Sequence, residues 1–190
     1  MRDVQISTGK GDDGTTGLYF GGREAKDTAR VEAYGTVDEA QAALGLARAE
    51  APPAGELDHL LVAVERDLWV LMAELATDDA NRHKLTPGQT LVTAEMMADL
   101  EARADDVEAR FAMPTEFVVP GQSRVSAALD VARTVVRRAE RRSVSVAVEG
   151  SLVVPYLNRL SDYCWLLARW QDAHAVGGSL TARTDPSDRS

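Results

Sequence analysis

Apolar residues recur at alternating steps of three and four along five stretches of the chain. The clearest stretch contains Leu57, Leu61, Val64, Leu68, Leu71 and Leu75. The other four run over residues 37–47, 97–111, 125–139 and 157–171. Steps of three and four keep one face of an α-helix apolar and favour the shallow crossing angles of helix bundles. The pattern therefore predicts an all-α fold, a bundle of five helices.

Proline and glycine stand where this pattern breaks. They occur at Pro52-Pro53, Pro87-Gly88, Pro120-Gly121, Gly150 and Gly177-Gly178. Ser123 or Ser126 is placed to cap the fourth helix. We expect one domain over residues 1–190, made of an N-terminal loop and arm (1–29), the helical bundle (30–178) and a flexible tail (179–190).

A glycine-rich segment precedes the first helix. Residues 7–22 read STGKGDDGTTGLYFGG, with six glycines in sixteen positions. This composition predicts an ordered loop rather than a helix or a strand interior, and a flexible N-terminal arm is an equally good interpretation. Backbone N–H groups of such a loop bind anions. It is not a P-loop, because Gly9-Lys10 is followed by Gly11 rather than by Ser or Thr. Lys26 is close enough in sequence to reach a bound phosphate, although a lone lysine is more often a solvated surface charge.

The fourth predicted helix carries two rows of arginines. Arg133, Arg137 and Arg141 form one row at steps of four, and Arg138 and Arg142 form a second. Such a run is often a solvated basic face with nearby acidic partners. Here Glu140 is the one acid among the clustered arginines. Like charges four residues apart destabilise a helix. A polyanionic ligand would compensate the charge, since guanidinium groups match phosphate oxygens.

Two further positions carry candidate chemistry. Asn158 lies between core leucines of the fifth helix, where a hydrogen-bonding role and an exposed polar face are equally good interpretations. Glu56 and His59 match one half of the Glu-x-x-His pairs of di-iron bundles. The second half is missing from the sequence, which argues against a di-iron site.

Composition narrows the functional classes. The chain has 45% hydrophobic residues, 21 Lys and Arg against 30 Asp and Glu, and a net charge of −9. The hydrophobic share disfavours a disordered chain, and the excess of acidic residues disfavours a nucleic-acid partner. No apolar run approaches the roughly 20 residues that span a membrane, and the N-terminus lacks a secretory h-region. Cys164 is the one cysteine, so we expect no internal disulfide and a cytoplasmic location.

Four segments together resemble a known family. TGKGDDGTTGL, KDTARVEAYGTVDEAQAALG, RRAERR and YLNRLSDYCWLLAR are similar to the signature blocks of the PduO-type ATP:cob(I)alamin adenosyltransferases, in the same order. The resemblance runs from about Val4 to His174. It implies a ferritin-like five-helix bundle that forms homotrimers with active sites between subunits. It also implies a transferase whose substrates are ATP, bound with Mg²⁺ mainly through its phosphates, and cob(I)alamin.

The resemblance also implies roles for individual residues. The loop contacts to ATP would come from Thr8, Gly9, Lys10, Gly11 and Thr16, with Lys26 on the phosphates. The nucleotide contacts on the helices would come from Arg137, Arg138, Glu140, Arg141 and Asn158. Asp38 and Arg133 would pair across the subunit interface beside the corrinoid, and with Arg137 they would form the catalytic set. Phe117 would pack against the lower face of the corrin.

Some positions depart from the family pattern. Gly9-Lys10 stands where a basic residue followed by Thr or Ser is usual, Gln41 replaces Asn, and Cys164-Trp165 replaces Leu-Phe. Phe117 also has another interpretation, in which it plugs the end of the bundle together with Val118 and Val119. A non-catalytic nucleotide or corrinoid carrier, and a plain helical interaction protein, are the competing functions. A corrinoid reductase and an adenosylcobalamin-dependent enzyme are possible partners of the enzyme.

Overall fold

The computed structural model describes residues 8–183, and these residues form the predicted all-α bundle. The five α-helices are α1 (Ala29–Ala49), α2 (Glu56–Leu75), α3 (Ala94–Glu108), α4 (Arg124–Ser143) and α5 (Val153–Val176). A 3₁₀ helix over Asp79–Lys84, which the apolar spacing does not predict, connects α2 to α3. Among residues 8–183, no helix combines the length and the apolar character needed to cross a bilayer.

Local side chains set the starts of the helices. The Thr28 hydroxyl accepts a hydrogen bond from the Val31 amide at the start of α1. At α4, Ser123 and Ser126 each accept from the other's backbone amide, so both predicted capping candidates take part in one capping box. Helix α5 ends at Gly177, whose φ of 80° is a left-handed conformation that glycine adopts without a steric penalty.

Helix α4 lies at the centre of the packing. It contacts α1 on one side and α5 on the other, while α2 packs on α1 and α3 packs on α5. The buried core includes Leu44, Leu61, Leu129, Leu160 and Leu167. Gln41, a departure from the family pattern, donates a hydrogen bond of 3.0 Å to the Glu65 carbonyl of α2, which agrees with a packing role.

The N-terminal segment differs from the predicted loop. Thr15–Gly17 (β1) and Arg23–Ala25 (β2) pair as an antiparallel hairpin, with Thr16 opposite Glu24. The prediction that this stretch has no strand interior is therefore wrong for β1, because pairing with β2 overrides the glycine-rich composition. The hairpin docks at the end of α2, where the Tyr19 amide donates to the Ala76 carbonyl at 3.0 Å. Residues 1–7 of the predicted arm lie outside the described residues.

The chain after α5 also differs from the expectation of a flexible tail. The Val119 amide donates to the Leu180 carbonyl, and the Ala182 amide donates to the Phe117 carbonyl, each at 2.8 Å. These bonds join residues 180–182 to the loop between α3 and α4. The part of the predicted tail over residues 184–190 lies outside the described residues.

Candidate active site

One arginine row of α4 faces acids of α1. Arg138 forms an ion pair with Glu39, and Arg142 Nε lies 3.3 Å from Glu32 Oε1. Arg138 and Glu39 are 99 positions apart in sequence, so only the packing of α4 on α1 brings them together. Arg138, predicted to bind ATP, thus has a partner within its own chain, and its role at ATP stays a prediction.

The other row of α4 has few partners. Arg137 and Arg141 are exposed, and within residues 8–183 neither side chain makes a hydrogen bond or an ion pair. Two cations four residues apart on a helix repel each other. An anion carrying several oxygens would relieve that repulsion, since each guanidinium presents a fork of N–H donors.

Asn158 links α5 to this row. Its Nδ2 donates to Glu140 Oε1 at 3.0 Å, and its Oδ1 accepts from Arg159 at 3.2 Å. Arg159 is held in turn by Glu101 of α3 at 3.1 Å. These two hydrogen bonds fix the orientation of the half-buried Asn158 amide. Its partner Glu140 directly precedes Arg141 on α4. This geometry favours the hydrogen-bonding interpretation of Asn158 over an exposed polar face.

Arg133 and Asp38 do not pair within the described part of the chain. Arg133 is half-buried, and its Nε lies 3.3 Å from Asp130 Oδ1 on the same helix. Asp38 is exposed on α1 and has no hydrogen bond or ion pair from its side chain among residues 8–183. Their predicted pairing across a subunit interface stays a prediction, because it involves a second copy of the chain.

The glycine-rich loop is held by side chains within it and just after it. Lys26 Nζ donates to the Gly11 carbonyl at 2.8 Å, and a Cβ at position 11 would lie 2.9 Å from that same nitrogen. A Cβ at position 11 would therefore make the flexible end of the Lys26 side chain shift, and glycine leaves room for this close approach. In this structure the Lys26 side chain is hydrogen-bonded to the loop and does not project away from it. The predicted loop residues Thr8 and Lys10 are exposed, and Thr16 is half-buried in β1.

Arg23, the first residue of β2, holds the loop and was missed by the sequence analysis. Its guanidinium donates to the Lys10 carbonyl at 2.6 Å and to Thr15 Oγ1 at 2.8 Å, and it lies 3.2 Å from Asp13. The hydroxyl and amide of Thr15 both donate to Asp13, and these bonds, with Arg23 nearby, lower the pKa of that carboxyl. Arg23 thus fixes the loop's backbone direction. No feature of the sequence separates Arg23 from an ordinary surface arginine.

The loop and the arginine rows are separate in one chain. Within the described residues, no hydrogen bond or ion pair joins residues 8–17 to residues 133–142. Both groups nevertheless expose donors suited to phosphate oxygens, namely loop amides and guanidinium groups.

Phe117 lies on the surface. Its side chain is 90% exposed, so the interpretation of Phe117 as a plug of the bundle is wrong. A cavity of about 380 Å³ lies between the Phe117 loop and the chain end. It is lined by Pro114, Thr115, Glu116, Phe117, Ala182 and Arg183.

The remaining candidates do not form a site. Cys164 is fully buried, and burial raises the pKa of its thiol to about 12, so the thiolate is not available at neutral pH. Glu56 pairs with Arg110 at 2.6 Å, and His59 is exposed. Residues 8–183 contain no group of three or more His, Cys, Asp or Glu side chains arranged to hold a metal ion.

Comparisons with known proteins agree on one family. The family model described as cobalamin adenosyltransferase matches residues 6–171. A corrinoid adenosyltransferase of Mycobacterium bovis is 43% identical over 172 residues, covering 87% of this chain and 88% of that protein. The corrinoid adenosyltransferase PduO of Salmonella typhimurium is 41% identical over 177 residues, covering 90% of this chain and 51% of that protein. The chain thus spans about half the length of that PduO protein.

A solved structure gives the same fold. A variant PduO-type ATP:corrinoid adenosyltransferase from Lactobacillus reuteri, complexed with cobalamin and ATP, superposes with a TM-score of 0.83 at 28% identity. The match covers 95% of this chain and 97% of that one. The sequence motifs, the helical bundle and these matches lead to one assignment. The chain belongs to the cobalamin adenosyltransferase family.

Proposed function

We propose that the protein transfers the 5′-deoxyadenosyl group of ATP to the cobalt of cob(I)alamin, giving adenosylcobalamin and triphosphate. The observation that carries the proposal is the pair Arg137 and Arg141, exposed and without partners in residues 8–183, beside the Glu140–Asn158 hydrogen bond. Family membership and the ATP and cobalamin of the Lactobacillus reuteri complex support it.

The reaction requires no acid–base group from the protein. The cobalt of cob(I)alamin attacks the 5′ carbon of ATP, the bond from that carbon to oxygen breaks, and its electron pair leaves with triphosphate. Negative charge on the leaving group then needs donors that are already in place. Arg137 and Arg141 on α4 supply guanidinium N–H groups to the triphosphate. Asn158 on α5 orients the nucleotide. Mg²⁺ bound to the phosphates would neutralise part of their charge, and we assign it no protein ligand.

A homotrimer with shared sites belongs to the same proposal. The glycine-rich loop and the arginine row both offer phosphate donors, and no hydrogen bond or ion pair joins them within the described chain. A loop from one subunit beside α4 of its neighbour would complete the site. Sedimentation should give about three times the 20.5 kDa of one chain. A fully active monomer at assay concentration would contradict shared sites.

Phe117 is proposed to face the corrin from below. An exposed aromatic side chain is unfavourable in water and suits a flat apolar ligand. Its packing would displace the lower axial ligand of cobalt and make cob(II)alamin easier to reduce. The reduced corrinoid, together with a buried Cys164 as the one thiol, fits a cytoplasmic location.

Anaerobic incubation with chemically reduced cobalamin, ATP and Mg²⁺ tests the proposal. The spectrum of adenosylcobalamin should appear, with one triphosphate released for each corrinoid converted. Binding of both ligands without turnover would favour the corrinoid carrier instead. Binding of neither would leave a helical interaction protein.

A further inference from the structure

The end of the described chain pairs with the loop that carries Phe117. Val118 and Thr181 form an antiparallel bridge, flanked by the hydrogen bonds from Val119 to Leu180 and from Ala182 to Phe117, each 2.8 Å. The Thr181 hydroxyl also donates to Glu116 at 3.1 Å. The peptide groups on both sides of Val118 are therefore fixed by residues that follow α5.

This pairing decides which side chains of the loop face outward. Successive side chains of an extended segment point to opposite faces. Phe117 and Val119 are 90% and 40% exposed, whereas Val118 between them is half-buried. The pairing thus presents two apolar side chains together on one outward face.

The pairing segment is itself anchored to the bundle. Ser179 Oγ donates to Asp172 Oδ2 at 2.7 Å, and Asp172 is 1% exposed. The same carboxylate lies 3.4 Å from Arg169 Nε, whose Nη2 is 2.6 Å from Asp130. Residue 179 is therefore tied to buried charges of α4 and α5, which gives the segment a rigid base.

We propose that residues 179–183, here called the C-terminal strap, position Phe117 for the corrinoid. The proposal rests on the proposed function, because it takes Phe117 as the residue under the corrin. We assign the strap no catalytic role at the substrate. It limits the conformations of the Phe117 loop, so that the loop loses less conformational freedom when the corrinoid binds.

Removing one strap hydrogen bond tests the proposal. Ala182→Pro deletes the N–H that donates to the Phe117 carbonyl, whereas Ala182→Gly keeps that N–H and serves as the matched control. Adenosylcobalamin formation is measured from cob(II)alamin with a supplied flavin reductant and from chemically pre-reduced cob(I)alamin. We expect Ala182→Pro to slow the cob(II)alamin route about fivefold, the factor expected for one lost main-chain hydrogen bond. The cob(I)alamin route and the KM for ATP should stay within about twofold of the control.

A double-mutant cycle with Phe117→Ala identifies the residue through which the strap acts. Phe117→Ala alone should slow the cob(II)alamin route and leave the melting temperature nearly unchanged. If the strap works by placing that ring, Ala182→Pro should cause no further loss when Phe117 is already absent. Additive losses would overturn the proposal.

The outcomes separate this proposal from the proposed function. If Phe117→Ala impairs the cob(II)alamin route and Ala182→Pro behaves like Ala182→Gly, the strap has no positioning role and the enzyme assignment stands. If Phe117→Ala changes neither route, the corrin placement of Phe117 fails, and the strap proposal fails with it. Equal losses on both routes with a lower melting temperature would make the strap a purely structural element. Should Ala182→Pro not fold, a chain ended after Ser179 keeps the bond to Asp172 and removes the rest of the strap.

Discussion

Two arginine rows on α4 carry the same charge and differ in what faces them. Arg138 and Arg142 meet Glu39 and Glu32 of α1, which neutralise them within the chain. Arg137 and Arg141 meet no such acid among residues 8–183, although they are only one position away along the same helix. A one-residue step rotates a side chain by about 100° around the helix, and this rotation separates the two paired arginines from the two that have no partner among residues 8–183. Charge density alone therefore does not distinguish the two rows. The proposal for a phosphate site rests on the two arginines that have no partner among residues 8–183.

Replacing one arginine in each row should give the largest contrast. Arg137→Ala should lower kcat by about 10²–10³, the usual loss when a preorganised donor to a transition-state charge is removed. Arg142→Ala, the matched control in the paired row, should stay within about threefold, because its charge is already matched by Glu32. Both variants should remain trimers in sedimentation. Activity of Arg137→Ala within threefold of the unchanged protein would remove Arg137 from the site.

Arg138 sharpens the comparison, because the family resemblance places it at ATP and the fold pairs it with Glu39. We expect Arg138→Ala to lower kcat/KM for ATP by about tenfold, less than Arg137→Ala, since Glu39 competes with the phosphates for the guanidinium. Steady-state kinetics with varied ATP measure this loss. A defect as large as that of Arg137→Ala would show that Arg138 leaves Glu39 when ATP binds.

The smallest effect concerns stability. Glu39→Gln removes the charge that faces Arg138, and we expect the free energy of unfolding to fall by about 0.2–1 kcal/mol, as for other exposed ion pairs. Urea unfolding at low salt measures this loss, and salt should reduce it by screening. Glu50→Gln serves as the control, because Glu50 follows α1 and is not one of the acids that face the arginines of α4. A loss well above this range would mean that the paired row holds α1 and α4 together.

The helices were the predictable part of the fold. The spacing of Leu57 to Leu75 predicted α2, and Ser123 or Ser126 was the predicted cap at the start of α4. These signals are local, since apolar periodicity and capping act within a few residues. The β1–β2 hairpin was not predicted, because its pairing depends on strand contacts rather than on the glycine-rich composition.

The candidate site was predictable in its parts and not in its arrangement. The resemblance singled out Arg137, Asn158 and Phe117, and the structure adds the Glu140–Asn158 bond and the exposure of Phe117. Arg23 and the strap had no signal in the sequence that separates them from ordinary loop residues. Their roles come from contacts across 13 and 65 positions of the chain, respectively.

The sequence by itself determined five amphipathic helices and two rows of cations on the fourth, because both follow from the 3.6-residue period of one segment. Only the tertiary structure decided which arginines keep no partner among residues 8–183. The packing of α4 on α1 sets the acids Glu32 and Glu39 opposite Arg142 and Arg138 and leaves Arg137 and Arg141 exposed. It likewise paired Thr181 with Val118 in the Phe117 loop. Such partners are distant in sequence, and no local period encodes them.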